Sequence, residues 1–314
     1  GVAMARSEFE LILLAIERDL AVLATGLPYI RRFLKPGKVT LIASAPCLAK
    51  ARAMGLASGI SDFLDEDLAV QGLSLAGVRG LIEDRGGDPN RAGWYFKQIV
   101  IFCYSLRETT AERYLAWDAD TIPVRPIAFF DEAGRVLYAK KKEHNQAYFA
   151  TIRRLLDLEK QGDFSFIAEH MMFDRGNVRE LLAAIQGGRA IDAGKIAERI
   201  IAAVDPKDLP GSGFSEYETY GTYVSARMPG TIVARDLPSS RHGTAFFGRR
   251  PSPAQLFAVS TRYHWASFEA WRTRGAAAYA KLFVRRLAGA LWTCAAVISD
   301  PKGYARFREE VTSR

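Results

Sequence analysis

The sequence predicts an α/β protein with a mostly parallel, Rossmann-type sheet flanked by helices and followed by a largely helical C-terminal extension. Two observations predict this fold class. In the first third of the chain, apolar runs of strand length alternate with segments whose apolar residues recur at helical spacing. Near the end, residues 276–298 form one long apolar and basic run of helical type. A βαβαβ alternation is typical of doubly wound sheets, which bind ligands at the carboxyl ends of their strands.

Each element is predicted from its local pattern. Short apolar runs bounded by turn formers such as Pro36-Gly37 are predicted as strands, and longer runs of helical period as helices. The run 94–108 is apolar almost all round, so we expect it to pack against the sheet, and Asn177 is predicted to cap the helix that follows it. In chain order the predicted elements are strand 9–16, helix 18–34, strand 37–44, helix 47–56, weak strand 60–64, helix 94–108, strand 113–118, strand 134–143, helix 145–160, strand 163–175, helix 178–188, helix 193–204, strand 230–237 and helix 276–298.

The composition is that of a folded globular protein, with 49% hydrophobic and 25% charged residues. No run reaches the roughly 18 consecutive apolar residues of a membrane span, and residues 289–298 are predicted to form buried helix. Charged residues within the first ten positions argue against a signal peptide. The odd, scattered cysteines suit buried, reduced thiols: Cys47, Cys103 and Cys294. We therefore expect a cytoplasmic protein.

The net charge of +8 favours an anionic partner such as a phosphate, an acidic glycan or a membrane face, although a merely basic surface explains it equally well. The run Lys140–Lys142 is either a solvated strand end or a contact for an acidic acceptor. Lys281, Arg285 and Arg286 lie within the C-terminal helical run. That helix either packs its apolar face on the domain or lies on an anionic membrane, which would make the protein peripheral on the inner membrane. No recognised nucleic-acid-binding motif is present.

Two aspartates end a predicted buried strand in the segment RYLAWDADTIP. Asp118 and Asp120 fall on the same side of an extended chain, with Ala119 opposite. Two carboxylates so close repel each other unless a cation lies between them. Hard carboxylate oxygens suit Mg²⁺ or Mn²⁺, which proteins usually hold with one or two carboxylates together with substrate phosphates. A second such pair, Asp65 and Asp67, has no apolar run behind it, and we interpret it as a solvated loop.

Three segments together resemble a known family. YLAWDADTIPVRP, SFIAEHMMFDR and GFSEYETYGTYV are similar to a family of bacterial proteins described as glycosyltransferases with a GT-A-type fold, formerly of unknown function. The resemblance runs from about Gly93 to Met228. It implies a GT-A-like catalytic domain over residues 1–230, with 231–314 as an acceptor-side, helical extension packed on the same domain.

The resemblance also implies a chemistry. It implies transfer of a sugar, hexosyltransferase-type, from a nucleotide-sugar donor, with a UDP-sugar as the expected donor and Mn²⁺ or Mg²⁺ as the metal. Asp118 would lie near the ribose or the metal, and Asp120 would bind the metal directly. The family has a tryptophan and a Gln-Gln pair in the preceding helix. Trp94 matches, but the pair here reads Lys97-Gln98, which leaves open whether Trp94 and Lys97 contact the donor. A glycan or lipid-linked acceptor of bacterial surface polysaccharide synthesis would fit.

Two histidines are further candidates. His170 follows an apolar run and is either a core or strand-end histidine or a donor or metal contact. His264, between Tyr263 and Trp265, is the candidate third metal ligand, because GT-A enzymes often recruit a late histidine. His242, in a Gly-rich loop, is either a phosphate contact or without a role.

The segment GFSEYETYG supplies the candidate base. Ser215 and Glu218 have the spacing of a capping box, which would explain both by helix initiation. Glu216 is then free to take the proton from an acceptor hydroxyl in an inverting enzyme, with Glu218 as the second candidate. In a retaining enzyme neither need be a base.

Two other function classes remain open. One is a non-catalytic protein of this fold that binds nucleotide or carbohydrate. The other is a haloacid-dehalogenase-type phosphatase, whose Asp-x-Asp normally ends the first strand, whereas two or three strands precede Asp118 here.

Overall fold

The computed structural model describes residues 9–270 and 276–312. Within these ranges the strands are β1 (Phe9–Leu14), β2 (Lys38–Ala43), β3 (Asp62–Asp65), β4 (Arg113–Asp118), β5 (Thr121–Pro123), β6 (Val136–Ala139), β7 (His170–Asp174), β8 (Ile232–Arg235), β9 (Ser239–Ser240) and β10 (Trp265–Ser267). The helices are α1 (Leu20–Leu34), α2 (Ala45–Ala53), α3 (Leu75–Glu83), α4 (Ala92–Cys103), α5 (Gln146–Leu156), α6 (Arg175–Gln186), α7 (Ala193–Ala203), α8 (Glu216–Arg227), α9 (Gly243–Phe247), α10 (Pro253–Ser260), α11 (Ala276–Ser299) and α12 (Pro301–Thr312).

The central sheet has five strands in the order β3-β2-β1-β4-β7. The first four are mutually parallel, and β7 runs antiparallel to β4. Leu11, Ile12 and Leu13 of β1 are fully buried, because helices cover both faces of a doubly wound sheet. The predicted α/β class, with a mostly parallel sheet and a helical C-terminal part, is confirmed. Helix α4 is buried over most of its surface, as its apolar sequence predicts.

Residues after 230 contribute to the same body as the central sheet. Strand β8 pairs with β6, and β10 pairs with β5 on one side and β9 on the other. A second apolar cluster joins Tyr29 and Phe33 of α1 to Phe257 of α10 and Phe307 of α12. The C-terminal part therefore shares strands and core with the earlier residues and completes their sheets.

Two boundaries near β7 differ from the prediction. The extended run predicted over 163–175 is a strand only from His170, because Glu169 takes the left-handed backbone conformation (φ 58°) that interrupts an extended chain. Helix α6 begins at Arg175, and its cap is Asp174, whose Oδ1 accepts a hydrogen bond from the backbone N–H of Asn177 at 3.2 Å. Asn177 is therefore in the first turn, and a carboxylate supplies the cap.

Helix α11 is the largest departure from the prediction. Residues 289–298 were expected to be buried, but large apolar side chains of α11 point into solvent, and Cys294 is exposed. By length and composition the stretch Ala277–Ser299 could cross a membrane. Only 6% of its most apolar 18-residue segment is buried within the protein. The prediction of a buried helix is wrong because α11 packs one side on the domain and leaves the other side uncovered.

Candidate active site at the carboxyl edge of the sheet

The two aspartates of the Asp-x-Asp segment lie at the carboxyl edge of the parallel strands. Asp118 is the last residue of β4 and stands opposite Leu14 of β1. The backbone N–H of Asp118 donates to the carbonyl of Glu169 at 3.0 Å, and the carbonyl of Asp120 accepts from the N–H of Phe268 at 2.7 Å. Ala119 is buried, whereas both aspartates are partly exposed. Hydrogen bonds thus fix the backbone of both aspartates at the edge where such sheets bind ligands.

Helix α4 contributes a cation to Asp118. The Lys97 ammonium lies 2.8 Å from Asp118 Oδ1, and its side chain is 38% exposed. Burial acts to lower the pKa of Lys97, but the ion pair with Asp118 outweighs it and raises the pKa above its ordinary value. Trp94 is one helical turn earlier, with the Arg91 guanidinium 4.8 Å from its ring centroid. Lys97 and Trp94 therefore lie on the same side of α4, and Lys97 reaches the aspartates.

The ionised form of the Asp120 carboxyl is electrostatically unfavourable. Burial, and then repulsion by Asp118 and Asp19, raise the pKa of Asp120 to about 7, although Lys97 opposes the shift. A bound cation would remove this penalty, since an opposite charge favours the ionised form.

Glu216 lies at the start of α8 and faces the same cluster. Ser215 caps the helix, and the backbone N–H of Glu216 donates to the side-chain oxygen of Gln98 at 3.2 Å. Glu216 is only 6% exposed. Burial raises the pKa of its carboxyl to about 7; Lys97 opposes this shift and Asp118 adds to it. The structure therefore places Glu216 within electrostatic reach of both Lys97 and Asp118, with a pKa suited to proton transfer near neutral pH.

Glu218 has a different role from the one predicted for it. Its carboxylate accepts hydrogen bonds from the hydroxyl of Ser165 and, at 3.0 Å, from the backbone N–H of Phe166. Its own N–H donates to Ser215 Oγ at 3.3 Å, which is half of the predicted capping box. Glu218 is buried and engaged by the segment before β7. We therefore correct the second candidate base to a residue that holds this segment in place.

Replacing Glu218 by alanine is expected to lower the free energy of unfolding by about 2–4 kcal/mol, because it strands two buried donors and opens a cavity. Urea denaturation of wild type and variant would measure the loss. Thr222→Ala, on the same buried helix face one turn later, is the matched control, since the Thr222 hydroxyl has no hydrogen-bond partner among residues 9–270 and 276–312. A Glu218→Ala loss no larger than that of the control would contradict this role.

A buried carboxylate that the sequence did not single out adjoins the aspartates. Glu169 accepts from the indole N–H of Trp265 at 2.9 Å and pairs with Arg241 at 3.2 Å. Burial raises the pKa of Glu169, although Trp265 and Arg241 oppose the shift. Its left-handed backbone is rare for a residue other than glycine, and such strain often accompanies functional sites. The only signal in the sequence was its place beside His170.

His170 is an aromatic core residue in this structure. Its ring stacks on Trp117 at 4.9 Å between centroids and meets Trp265 edge-on at 4.7 Å. Burial, followed by the nearby Lys141 charge, lowers the pKa of His170 to about 3. The imidazole is therefore neutral and packed under the site, which corrects the prediction that His170 contacts the donor directly.

The structure does not bring His264 to the aspartates. His264 precedes β10, and its carbonyl accepts a hydrogen bond from the N–H of Val124. Val124 is four residues after Asp120, which is about 13 Å along an extended chain. Burial and the charge of Arg125 lower the pKa of His264. Another histidine is better placed: Gly243, directly after His242, packs against Phe268, whose N–H bonds to Asp120. The prediction of His264 as third metal ligand is thus corrected, and His242 lies on the side of Asp120.

The donor set of the site suits a divalent cation shared with a phosphate. Among the described residues no group of three or more His, Cys, Asp or Glu side chains is arranged to hold a metal ion. Asp118 and Asp120 offer hard oxygen ligands, and the raised pKa of Asp120 reflects its partial burial and its repulsion by Asp118, which Lys97 offsets only in part. Mg²⁺ and Mn²⁺ are commonly bound by two protein carboxylates, with substrate oxygens and water completing the coordination of the ion.

Comparison with known proteins gives remote structural likenesses only. No protein-family model and no curated protein matches the sequence. The galactosyltransferase LgtC, solved with donor and acceptor sugar analogues, is 13% identical, with a TM-score of 0.44 over 90% of this chain and 96% of that one. Core-mannan synthase A of Aspergillus fumigatus, in a Mn/GDP form, is 10% identical, with a TM-score of 0.41 over 90% and 84%. Mouse xyloside xylosyltransferase 1 is 10% identical, with a TM-score of 0.39 over 83% and 97%. At these levels the likenesses identify neither the family nor the activity of this chain.

Proposed function

We propose that the protein is a metal-dependent glycosyltransferase that uses a nucleotide-sugar donor. One observation carries the proposal: Asp118 ends a parallel strand at the carboxyl edge, Asp120 follows it, Lys97 bonds to Asp118, and Glu216 lies within electrostatic reach of both Lys97 and Asp118. Ligands of open α/β sheets bind at this edge. A pair of carboxylates, a lysine and a buried glutamate of raised pKa are groups that an inverting transfer from a sugar diphosphate can use.

Asp118 and Asp120 would hold the divalent cation, and their carboxylates would face the diphosphate of the donor. When bound, the cation stabilises the negative charge that develops on the leaving diphosphate. The Lys97 ammonium donates a hydrogen bond to Asp118 Oδ1 at 2.8 Å. We propose that Lys97 contacts the donor phosphates once a cation shares Asp118, which keeps the charge of the site balanced.

Glu216 would accept the proton of the acceptor hydroxyl in an inverting transfer. The acceptor oxygen forms the new glycosidic bond as the bond between sugar and diphosphate breaks, and the hydroxyl proton passes to the Glu216 carboxylate. Its pKa of about 7 matches this task, because a base works best when its pKa lies near the working pH.

The acceptor side is proposed to lie beyond Glu169. A cavity of about 410 Å³ there is lined by the basic Lys140–Lys142 and Arg241 and by the acidic Glu143 and Glu169. Glu169 also borders the aspartate site, because its carbonyl accepts from the N–H of Asp118. The basic side chains of the cavity suit an acidic sugar or phosphate on the acceptor, as in bacterial surface polysaccharides. A UDP-sugar remains the proposed donor.

Thermal unfolding with nucleotides tests the donor assignment. UDP, GDP, CDP and ADP, and the corresponding sugars, are added with and without Mn²⁺. A ligand that binds only the folded state at 100 times its Kd stabilises it by about 2.7 kcal/mol. We expect a Mn²⁺-dependent rise in Tm, largest for UDP. A folded protein that no nucleotide stabilises would contradict the proposal. Mn²⁺-dependent nucleotide binding without hydrolysis or transfer, tested over a glycan acceptor panel, would favour the non-catalytic binding protein.

A further inference from the structure

Helix α11 carries a continuous apolar stripe that faces solvent. Tyr279, Phe283, Leu287, Leu291 and Ile298 are each between 54 and 78% exposed. At 100° per residue these positions fall within an arc of about 120°. Monomeric soluble proteins rarely leave so large a contiguous apolar surface uncovered, and such a surface marks an interaction site.

The opposite side of α11 is already packed on the domain. Gly289 lies against the carbonyl of Phe246, and the Trp292 ring packs on Phe247 and Tyr263. A helix fixed in this way presents its stripe outward along its whole length. Because one side of α11 is fixed to the domain, the helix can lie along a flat surface that has an apolar interior, but it cannot span a bilayer in this position.

The charge around the stripe indicates the chemistry of that partner. Residues 271–314 contain nine basic and three acidic side chains, which supplies +6 of the net +8 of the chain. Helix α11 itself contains no acidic residue. By helical pitch, Lys281 and Arg286 lie at opposite edges of the exposed face of α11. Lys281 is exposed, so its ammonium can reach an anionic headgroup while its stem covers apolar surface, whereas the Arg286 guanidinium packs against Gly248 of the domain. A second copy of the chain would instead bring the same cations together.

We propose that α11 docks the protein on an anionic lipid bilayer, lying in the interface with Phe283 and Leu287 among the acyl chains and its basic side chains among the headgroups.

The docked face is connected to the candidate active site. Helix α9, on which α11 packs, starts at Gly243, which abuts Phe268 beside Asp120. Docking therefore holds the carboxyl edge of the sheet close to the membrane. This proposal does not depend on glycosyl transfer.

Vesicle flotation of the full chain tests the docking. We expect binding to vesicles of phosphatidylcholine mixed with phosphatidylglycerol, weakened by salt, and little binding to phosphatidylcholine alone. The double variant Phe283→Glu with Leu287→Glu should bind at least about tenfold more weakly, because two large apolar side chains no longer enter the bilayer. Leu68→Glu is the matched control: it is 75% exposed on a turn outside α11 and should bind as wild type does.

Lys281→Glu is a second, independent variant. It reverses one charge on an exposed side chain and should weaken binding to the anionic vesicles only. Three results would overturn the proposal: wild type that does not bind vesicles, wild type that binds both vesicle types equally, and a double variant that binds as tightly as wild type. So would concentration-dependent dimerisation in light scattering that the double variant abolishes without any vesicle binding, since a second copy would then be the partner.

Discussion

Asp120→Asn is expected to abolish Mn²⁺-dependent nucleotide binding and to lower kcat/KM for transfer by about 10³-fold or more. The change removes one of the two charged ligands of the cation and leaves the backbone bond from Phe268 intact. Loss of a metal that stabilises a leaving diphosphate costs several kcal/mol of transition-state stabilisation. Isothermal titration of Mn²⁺ and nucleotide, followed by steady-state kinetics, measures both effects.

Asp65→Asn is the matched control, because it makes the same change in the other Asp-x-Asp segment. Asp65 ends the edge strand β3, and the loop expected for this pair begins only after it. Asp65 Oδ1 accepts from the N–H of Asp67, and Asp67 Oδ1 accepts from the N–H of Leu75, so both carboxylates bond to nearby backbone. Nucleotide binding by this control should equal that of wild type. Equal loss in both variants, or none in Asp120→Asn, would refute the assignment of the metal site.

The metal-free Asp120→Asn protein should also be more stable than wild type at pH 8. The folded-state pKa of Asp120 is raised from 3.8 to about 7, so the folded state binds a proton more tightly than the unfolded chain does. The resulting penalty on folding is absent below pH 3.8, grows between the two values and is complete above about 7. The Tm difference between variant and wild type should therefore vanish in acid.

Glu216→Gln is expected to lower kcat by about 10²–10⁴-fold while nucleotide and Mn²⁺ affinities stay near wild type. Glutamine keeps the shape of the side chain but cannot accept the proton. The wild-type rate should fall as the pH drops through about 7, because the base becomes protonated. Gln98→Ala tests positioning: it removes the acceptor for the Glu216 N–H and should lower kcat less, without moving this pH profile.

Glu216 also couples activity to stability. Its pKa is raised from 4.5 to about 7, so its ionisation opposes folding above pH 7 and has no effect below 4.5. Glu216→Gln should therefore raise the free energy of unfolding at pH 8 by up to about 3 kcal/mol. The gain should disappear at pH 4. A variant that stays fully active would contradict the role of Glu216 as the base. A variant that loses stability at pH 8 would contradict the penalty that its ionisation places on folding.

The sequence by itself determined the fold class and the position of the two aspartates at the end of a parallel strand. The β1–α1–β2–α2–β3 alternation and the aspartates at the end of β4 were all predicted, because strand length, helical period and turn chemistry are local properties. Helix α3 was missed. Two glycines weaken its helical pattern, although Ser74, which caps the helix by accepting from the N–H of Gly77, was a local signal for its start.

Only the tertiary structure decided which of several equivalent side chains lies near the two aspartates. Glu216 and Glu218 are two residues apart, yet one faces Lys97 and the other bonds to Phe166, more than fifty positions away in the chain. His242 and His264 look alike in sequence, and the pairing of β10 with β5 separates them by placing His264 at the far end. In α11 both faces are apolar, so composition cannot tell which face is covered. Burial and partner choice depend on contacts between distant segments, which no local pattern encodes.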